Sequence, residues 1–226
     1  MKALIVDTET NTLNGYPIEI AYTPFSFECG QIHIHKDHAF SRYFSCPEPI
    51  DIEAMAVHNI IEADIEGQPS CESFRLPEGV EFIVGHNIDY DIKALNKCGP
   101  AIKAKTICTL ALARDVWPNL PSHKLAVLYY FVMSNREEAR KHLRHAHSAR
   151  ADVYFTGIIL IALIERLGIK DLNSLFLMSE AVRLPKIMTW GKHKGTPLKE
   201  LPRPYISWLL AKQDLDLHLR KALENI

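Results

Sequence analysis

Apolar residues open the chain in a short run, Lys2-Ala-Leu-Ile-Val6, rich in branched side chains and ended by Asp7, which predicts a buried strand. Pro17 to Phe27 and Gln31 to Phe44 predict two more strands, with Cys29-Gly30 as the tight turn between them. Asp51 to His58 reads as a helix with Asp51 as its N-cap, and Val80 to Val84 as a strand closed by Gly85. From Ile88 the spacing becomes helical, with Ile88, Ile92 and Leu95 on one face, until Cys98-Gly99-Pro100 ends the pattern. Lys105 to Cys108 predicts a last short strand. Helices follow, including a long apolar segment from Ala151 to Leu167 that stops at Gly168. A hairpin run of strands followed by alternating strands and helices predicts an α/β fold, a mixed sheet flanked by helices. The helical pattern fades between Ser179 and Pro185, and Trp190-Gly-Lys-His-Lys-Gly195 follows. The expected organisation is a domain over residues 1–180 and a small appendage over 181–226.

Composition adds limits to this picture. The chain has 226 residues, enough to bury one sizeable core, and 47% hydrophobic content is ordinary for a globular protein. No apolar run approaches a membrane span, and Asp7 interrupts the opening too early for a secretory signal, so a cytoplasmic protein is expected. Cys29, Cys46, Cys71, Cys98 and Cys108 are scattered without C-x-x-C spacing and are read as buried thiols. The net charge of −1 conceals an asymmetry: Arg183 to the end holds nine Lys/Arg against four Asp/Glu. The acidic remainder suits cations and the basic tail suits phosphates.

Carboxylate spacing carries the chemistry. In Asp7-Thr8-Glu9 the two acids stand at i and i+2 on a strand, so both face one side, and they repel each other unless a cation or proton lies between them. Hard oxygen ligands of this kind suit Mg²⁺ or Mn²⁺. In Gly85-His-Asn-Ile-Asp-Tyr-Asp91, Asp89 stands four residues before Lys93, a solvent-facing pairing distance, whereas Asp91 borders the buried face and is the better ligand. In His147-Ser-Ala-Arg-Ala-Asp152 a continuous helix would set the first and last side chains about 140° apart. His147 is therefore expected in the loop before the helix, with Ser148 as N-cap and Asp152 in the early turns; His142 and His145 are nearby competitors. His33, His35 and His38 have strand spacing and only Asp37 beside them, too little for a metal site.

In this order the pieces D-x-E, H-N-x-x-x-D and H-x-x-x-x-D resemble the DEDDh family of 3′→5′ exonucleases, over about the first 180 residues. That family includes polymerase proofreading subunits, ribonuclease T and oligoribonuclease. A DNA-degrading branch shares Ala54-Met-Ala-Val-His58, the Ala113 to Pro118 stretch and the Gly191 to Gly195 element. The resemblance implies a ribonuclease-H-like fold and two divalent ions. Asp7 would bridge them, Glu9 and Asp152 would complete the inner one, and Asp91 would support the second. It implies His147 as the base taking a proton from the attacking water, and nucleoside 5′-monophosphates as products. Thr8, Leu13, His58 and Asn87 match positions around the terminal nucleotide, with Asn87 also suited to orienting the helix opening. Lys192 and Lys194, beside an aromatic and between two glycines, suit a nucleic acid backbone, with DNA favoured over RNA. The chain departs from the family at Thr10-Asn-Thr-Leu13, where a glycine usually stands, and at Asn59. A non-catalytic nucleic-acid-binding subunit is the alternative from another class, and an exoribonuclease the alternative within the enzymes.

Overall fold

The computed structural model describes every residue except Met1, Thr189 and Asp214. Strand β1 (Ala3–Thr10) occupies the middle of the sheet, and Ala3, Leu4, Ile5 and Val6 are all buried. A strand covered on both faces reads as a continuous apolar run, which is the pattern at the start of the sequence. Strand β2 (Pro17–Glu28) pairs antiparallel with β1, and β3 (Gln31–Ile34) and β4 (Phe40–Tyr43) both pair antiparallel with β2. Strands β5 (Phe82–Gly85) and β6 (Lys105–Cys108) extend the other side in parallel, giving the order β3-β2-β1-β5-β6.

The helices are α1 (Ile52–His58), α2 (Glu62–Ile65), α3 (Asp89–Leu95), α4 (Thr109–Val116), α5 (Leu125–Val132), α6 (Arg136–His142), α7 (Ala149–Leu167), α8 (Leu172–Arg183), α9 (Arg203–Leu210) and α10 (Leu217–Glu224). Successive β1 residues enter opposite cores. Ala3 and Ile5 pack with Val153, Ile159 and Leu163 of α7, while Leu4 and Val6 pack with Ile88 and Leu95 around α3. Gly157 lets α7 lie close to the sheet: a Cβ there would stand 3.0 Å from Ile34 and 3.3 Å from Ile5. A third cluster, Met188, Leu198, Leu201, Leu209, Leu219 and Leu223, gathers the C-terminal segment around its own small core. Among the described residues no helix is long and apolar enough to cross a membrane.

Some expectations need correction. The strand expected from Gln31 to Phe44 is broken by a 3-10 turn at Lys36–His38, because Lys-Asp-His offers no apolar side chain to the sheet. Ser148 and Asp51 hold the N-cap positions of α7 and α1, but neither side chain makes a capping bond. Cys29 is exposed, since the β2–β3 turn places it at a tip with φ +50, and Cys46 is half-buried; Cys71, Cys98 and Cys108 are buried. Asp89 does not pair with Lys93 as a local helix contact. It meets His218 at 3.1 Å and Arg183 at 3.6 Å, both from later in the chain.

Candidate active site

The alternation along β1 that sorts Ile5 from Val6 also sorts the residues after them. Asp7 and Glu9 continue the Ile5 side, toward α7, and Thr8 continues the Val6 side, toward α3. Asp152 lies in the first turn of α7. One carboxylate oxygen from each of Asp7, Glu9 and Asp152 lies within 4.8 Å of the other two. On the opposite side, the paired register of β1 with β5 ends at Ile5, so the Thr8 N–H has no partner in that strand. Asp91, in the first turn of α3, supplies one: its Oδ1 accepts the Thr8 backbone N–H at 3.0 Å and the Thr8 hydroxyl at 2.9 Å. Thr8, expected from the sequence at the substrate, is instead buried and turned to Asp91, because strand parity faces it away from the cleft.

His147 lies outside α7, as the spacing requires, with a left-handed φ of +64 that sets it off the helix path. It lines a cavity of about 750 Å³ together with Asp152, Arg114, Ser122, His123, Lys124 and His86. His142 and His145 line a different cavity, and His142 Nδ1 is bonded to the Tyr129 hydroxyl at 2.6 Å. Of the three histidines, His147 is the one that lines a cavity together with Asp152.

Of the remaining expected residues, His58 is only 7% exposed, and its Nδ1 accepts the Ile60 N–H at 3.0 Å. Its proton then resides on Nε2, a buried atom with no hydrogen-bond partner. Leu13 is 80% exposed on the β1–β2 connection. Thr12 stands where the family's glycine is expected, and beside it Asn11 ties the connection down: its Nδ2 donates to the Pro49 carbonyl at 2.9 Å and its Oδ1 accepts the Tyr16 N–H at 2.7 Å. Asn59 closes α1 at φ +59, a conformation asparagine tolerates where other side chains do not. Asn87 is exposed at φ +70, and its carbonyl accepts the Tyr90 N–H at 2.9 Å in the turn leading into α3. Lys192 and Lys194 lie exposed on the Gly191–Gly195 turn of the C-terminal segment, not in the acidic cluster.

Sequence reasoning missed Glu19. It stands directly opposite Glu9 in the β1–β2 register and is 3% exposed. Its Oε2 accepts the Ala149 N–H at 2.9 Å and its Oε1 accepts the Ser41 hydroxyl at 3.2 Å. The carboxylate of β2 therefore does the capping that Ser148 does not, and fixes the start of α7 against the sheet. The available signal was a single acid between Ile18 and Ile20 in an otherwise apolar strand. Cross-strand like charges are unfavourable, so a buried Glu19–Glu9 pair calls for a cation or a proton.

Electrostatics agree with that requirement. Burial, then the neighbouring Asp91, Asp152, Glu9 and Glu19, hold the Asp7 carboxyl well above the usual carboxylate range. Burial with Asp152, Glu19 and Asp91 pushes Glu9 to about 8. Burial lifts Asp91 to about 7 against the two Thr8 hydrogen bonds that favour its charged form. Burial likewise lifts Asp152 to about 7, with the His147 backbone amide opposing. Asp152 Oδ1 is buried with no hydrogen-bond partner, a lone pair aimed at something the protein itself does not provide. Hard oxygens, mutual repulsion and an orphaned acceptor together fit a divalent cation. Glu19→Gln tests the electrostatic part, because the amide oxygen can still accept the Ala149 N–H. Mn²⁺ affinity measured calorimetrically is expected to fall about tenfold with α7 undisturbed; an unchanged affinity would remove Glu19 from the field felt by the ion.

A ribonuclease-H-like sheet whose central strand presents two carboxylates, completed by acids from two flanking helices and a histidine beside them, defines a class of nucleases. The chain belongs to one branch of it, the DEDDh exonuclease family, which generally uses divalent metals. It is 30% identical to Exodeoxyribonuclease 10 of Escherichia coli (strain K12) over 98% of both chains. It is 34% identical to the DNA polymerase III subunit epsilon of Aquifex aeolicus (strain VF5) over 51% of this chain and 60% of that one. Among solved structures, Exonuclease X in complex with 5′ overhanging duplex DNA superposes with a TM-score of 0.62 at 28% identity, covering 80% of this chain and 99% of that one. Cell-death related nuclease 4 shares the fold at a TM-score of 0.51 and 18% identity, covering 74% of this chain and 64% of that one. No protein-family model matches the chain.

Proposed function

We propose that this protein is a divalent-metal-dependent 3′→5′ exodeoxyribonuclease that releases nucleoside 5′-monophosphates. The observation that carries the reading is the meeting of Asp7, Glu9 and Asp152 oxygens within 4.8 Å of one another, next to a cavity that Asp152 and His147 line together. The choice of DNA rests on the relatives, Exodeoxyribonuclease 10 and the Exonuclease X–DNA complex.

In this reading two ions, Mg²⁺ or Mn²⁺, are held by the carboxylates. Asp7, Glu9 and Asp152 would hold one, and Asp91, whose Oδ1 is taken up by Thr8, would help to hold the other. Bound there, the ions supply Lewis acidity that acidifies water and offsets the phosphodiester charge. His147 accepts the proton of the water that attacks phosphorus, its imidazole freed from the helix by the left-handed backbone. The terminal nucleotide lies between exposed Leu13 and the unpartnered Nε2–H of His58, with Asn87 shaping the turn into α3.

The rest of the strand follows the cavity beyond Asp152, where Arg114 and Lys124 offer exposed cations to phosphates. His86 on the same wall stays neutral: burial pushes its pKa down to about 4, and its Nε2 donates to the His123 carbonyl at 2.9 Å. Residues 181–226 form a small basic module with its own apolar core, and Lys192 and Lys194 contact phosphates from it.

Incubating the purified protein and Mg²⁺ with 5′-labelled DNA and RNA oligomers tests the reading. A ladder shortening from the 3′ end of DNA, abolished by EDTA, is the expected result. Hydrolysis of neither polymer with Mg²⁺ or Mn²⁺ would sink the proposal, and a faster ladder on RNA would overturn the choice of substrate.

A further inference from the structure

The C-terminal module carries a cluster of aromatic rings at the edge of its own core, ending in an exposed tryptophan. Helix α9 buries Leu209, with Ile206 and Leu210 partly buried behind it. Tyr205, partly buried at the edge of that core, stacks with Trp208 one helical turn on, with ring centroids 5.4 Å apart and planes inclined by only 26°. Trp208 is 51% exposed. His193, from the Gly191–Gly195 turn, adds a third ring 4.5 Å from Tyr205, and Lys212 Nζ sits 4.7 Å above the Trp208 ring. Both glycines of that turn have positive φ, and a Cβ at Gly191 would stand 3.4 Å from the Tyr205 hydroxyl, so the turn is folded against this ladder. Lys192 and Lys194, both exposed, flank His193 in that turn, and Trp190, 41% exposed, precedes it in the chain.

We infer that this face is a platform for single-stranded DNA, on which bases stack against Tyr205 and Trp208 while Lys192, Lys194 and Lys212 engage the phosphates. The inference rests on the exonuclease reading and gives the basic module a defined ligand. Three lines of chemistry favour this occupant over an apolar protein surface. The rings alternate with cations rather than aliphatic side chains, which suits bases joined by phosphates. The segment from Arg183 onward has nine Lys/Arg against four Asp/Glu, and one of those acids, Asp216, is engaged in capping α10 through the Leu219 N–H at 2.9 Å. The module is also fastened to the catalytic domain at a telling place. His218 and Arg183 hold Asp89 of α3, the helix that carries Asp91, and Lys221 meets Glu180 of α8 at 3.1 Å. A strand held on the platform is thereby held by an element joined directly to the catalytic helix, and successive cuts follow without full release.

The experiment is fluorescence anisotropy of a labelled single-stranded DNA 20-mer with the full chain in EDTA, where no hydrolysis occurs. Tyr205→Ala/Trp208→Ala is expected to weaken binding about 5- to 50-fold, as the loss of one or two stacked bases requires. Trp208→Phe, which keeps a stacking ring, should stay within about threefold of wild type. Lys192→Ala/Lys194→Ala/Lys212→Ala should flatten the salt dependence of log affinity by about 2 units of slope. Should the double alanine variant fail to fold, quenching of tryptophan emission by the oligomer in the wild-type protein, and its loss in Trp208→Phe, decides the matter. Unaltered affinity in the folded double variant, or no Trp208-dependent quenching, overturns the platform. Failure of the exonuclease reading is separate: the wild-type protein would then bind the oligomer in EDTA yet cut nothing with Mg²⁺.

Discussion

Asp7→Asn is expected to abolish turnover, by a factor on the order of 10⁴ or more, while making the metal-free protein more stable. Both effects have one cause. Asp7 sits among Asp91, Asp152, Glu9 and Glu19, which together with burial raise its pKa well above the usual range. A carboxyl whose folded pKa exceeds its unfolded value binds more protons folded than unfolded. Its contribution to stability is complete below the unfolded pKa, near 4, and is lost as pH rises through the folded value. Glu9 titrates at about 8, and Asp91 and Asp152 at about 7. The metal-free wild type should therefore weaken between about pH 4 and pH 8, by a total on the order of 2–4 kcal/mol. For a chain of this size that lowers Tm by roughly 5–12 °C. Thermal unfolding in EDTA at pH 5.5 and 8.5 measures it. The amide substitution removes the charge at the centre of the cluster and should cut the pH-dependent loss by half or more. Mn²⁺ should restore the wild type at pH 8.5 and leave the variant nearly unmoved. A wild-type Tm indifferent to pH in EDTA would mean that these acids do not repel one another.

Much of the site was legible because strand and helix periodicity are local. The alternation through Asp7-Thr8-Glu9 puts the two acids on one side, and the structure adds that this side is the α7 side because it continues Ala3 and Ile5. The same parity places Thr8 opposite, where it holds Asp91. The choice of Asp91 over Asp89 followed from which one borders the buried face of α3, and Asp91 is indeed the buried one. His147 and Asp152 could be separated into loop and helix from their spacing alone. What was not legible depends on distant partners. Glu19 meets Ala149 across 130 positions, and no spacing rule connects an acid in β2 with an unpaired N–H at the start of α7. Asp89 has the spacing of a helix ion pair with Lys93, but Arg183 and His218 reach it from the C-terminal end and win because they are better buried. The strand expected from Gln31 to Phe44 failed for a local reason, three polar residues at Lys36–His38, which an apolar count across the whole stretch averaged away.

His147→Asn is expected to keep the cation and the fold while losing about 10²–10⁴ of kcat, the range for removing a positioned general base. Asparagine is the informative substitution here. The backbone at position 147 has φ +64, a conformation that alanine resists and asparagine tolerates, so this variant leaves the entry to α7 undisturbed and removes only the proton acceptor. Mn²⁺ affinity should be unchanged because all four carboxylates remain, and KM should move little, since the imidazole serves the transition state more than the bound strand. Added imidazole should restore part of the lost rate, since the cavity of about 750 Å³ that His147 shares with Asp152 has room to admit it. A variant that cuts DNA at the wild-type rate at pH 7 would exclude His147 as the base. Weakened Mn²⁺ affinity without rescue by imidazole would instead make it a support for Asp152, whose carboxylate its backbone amide already faces.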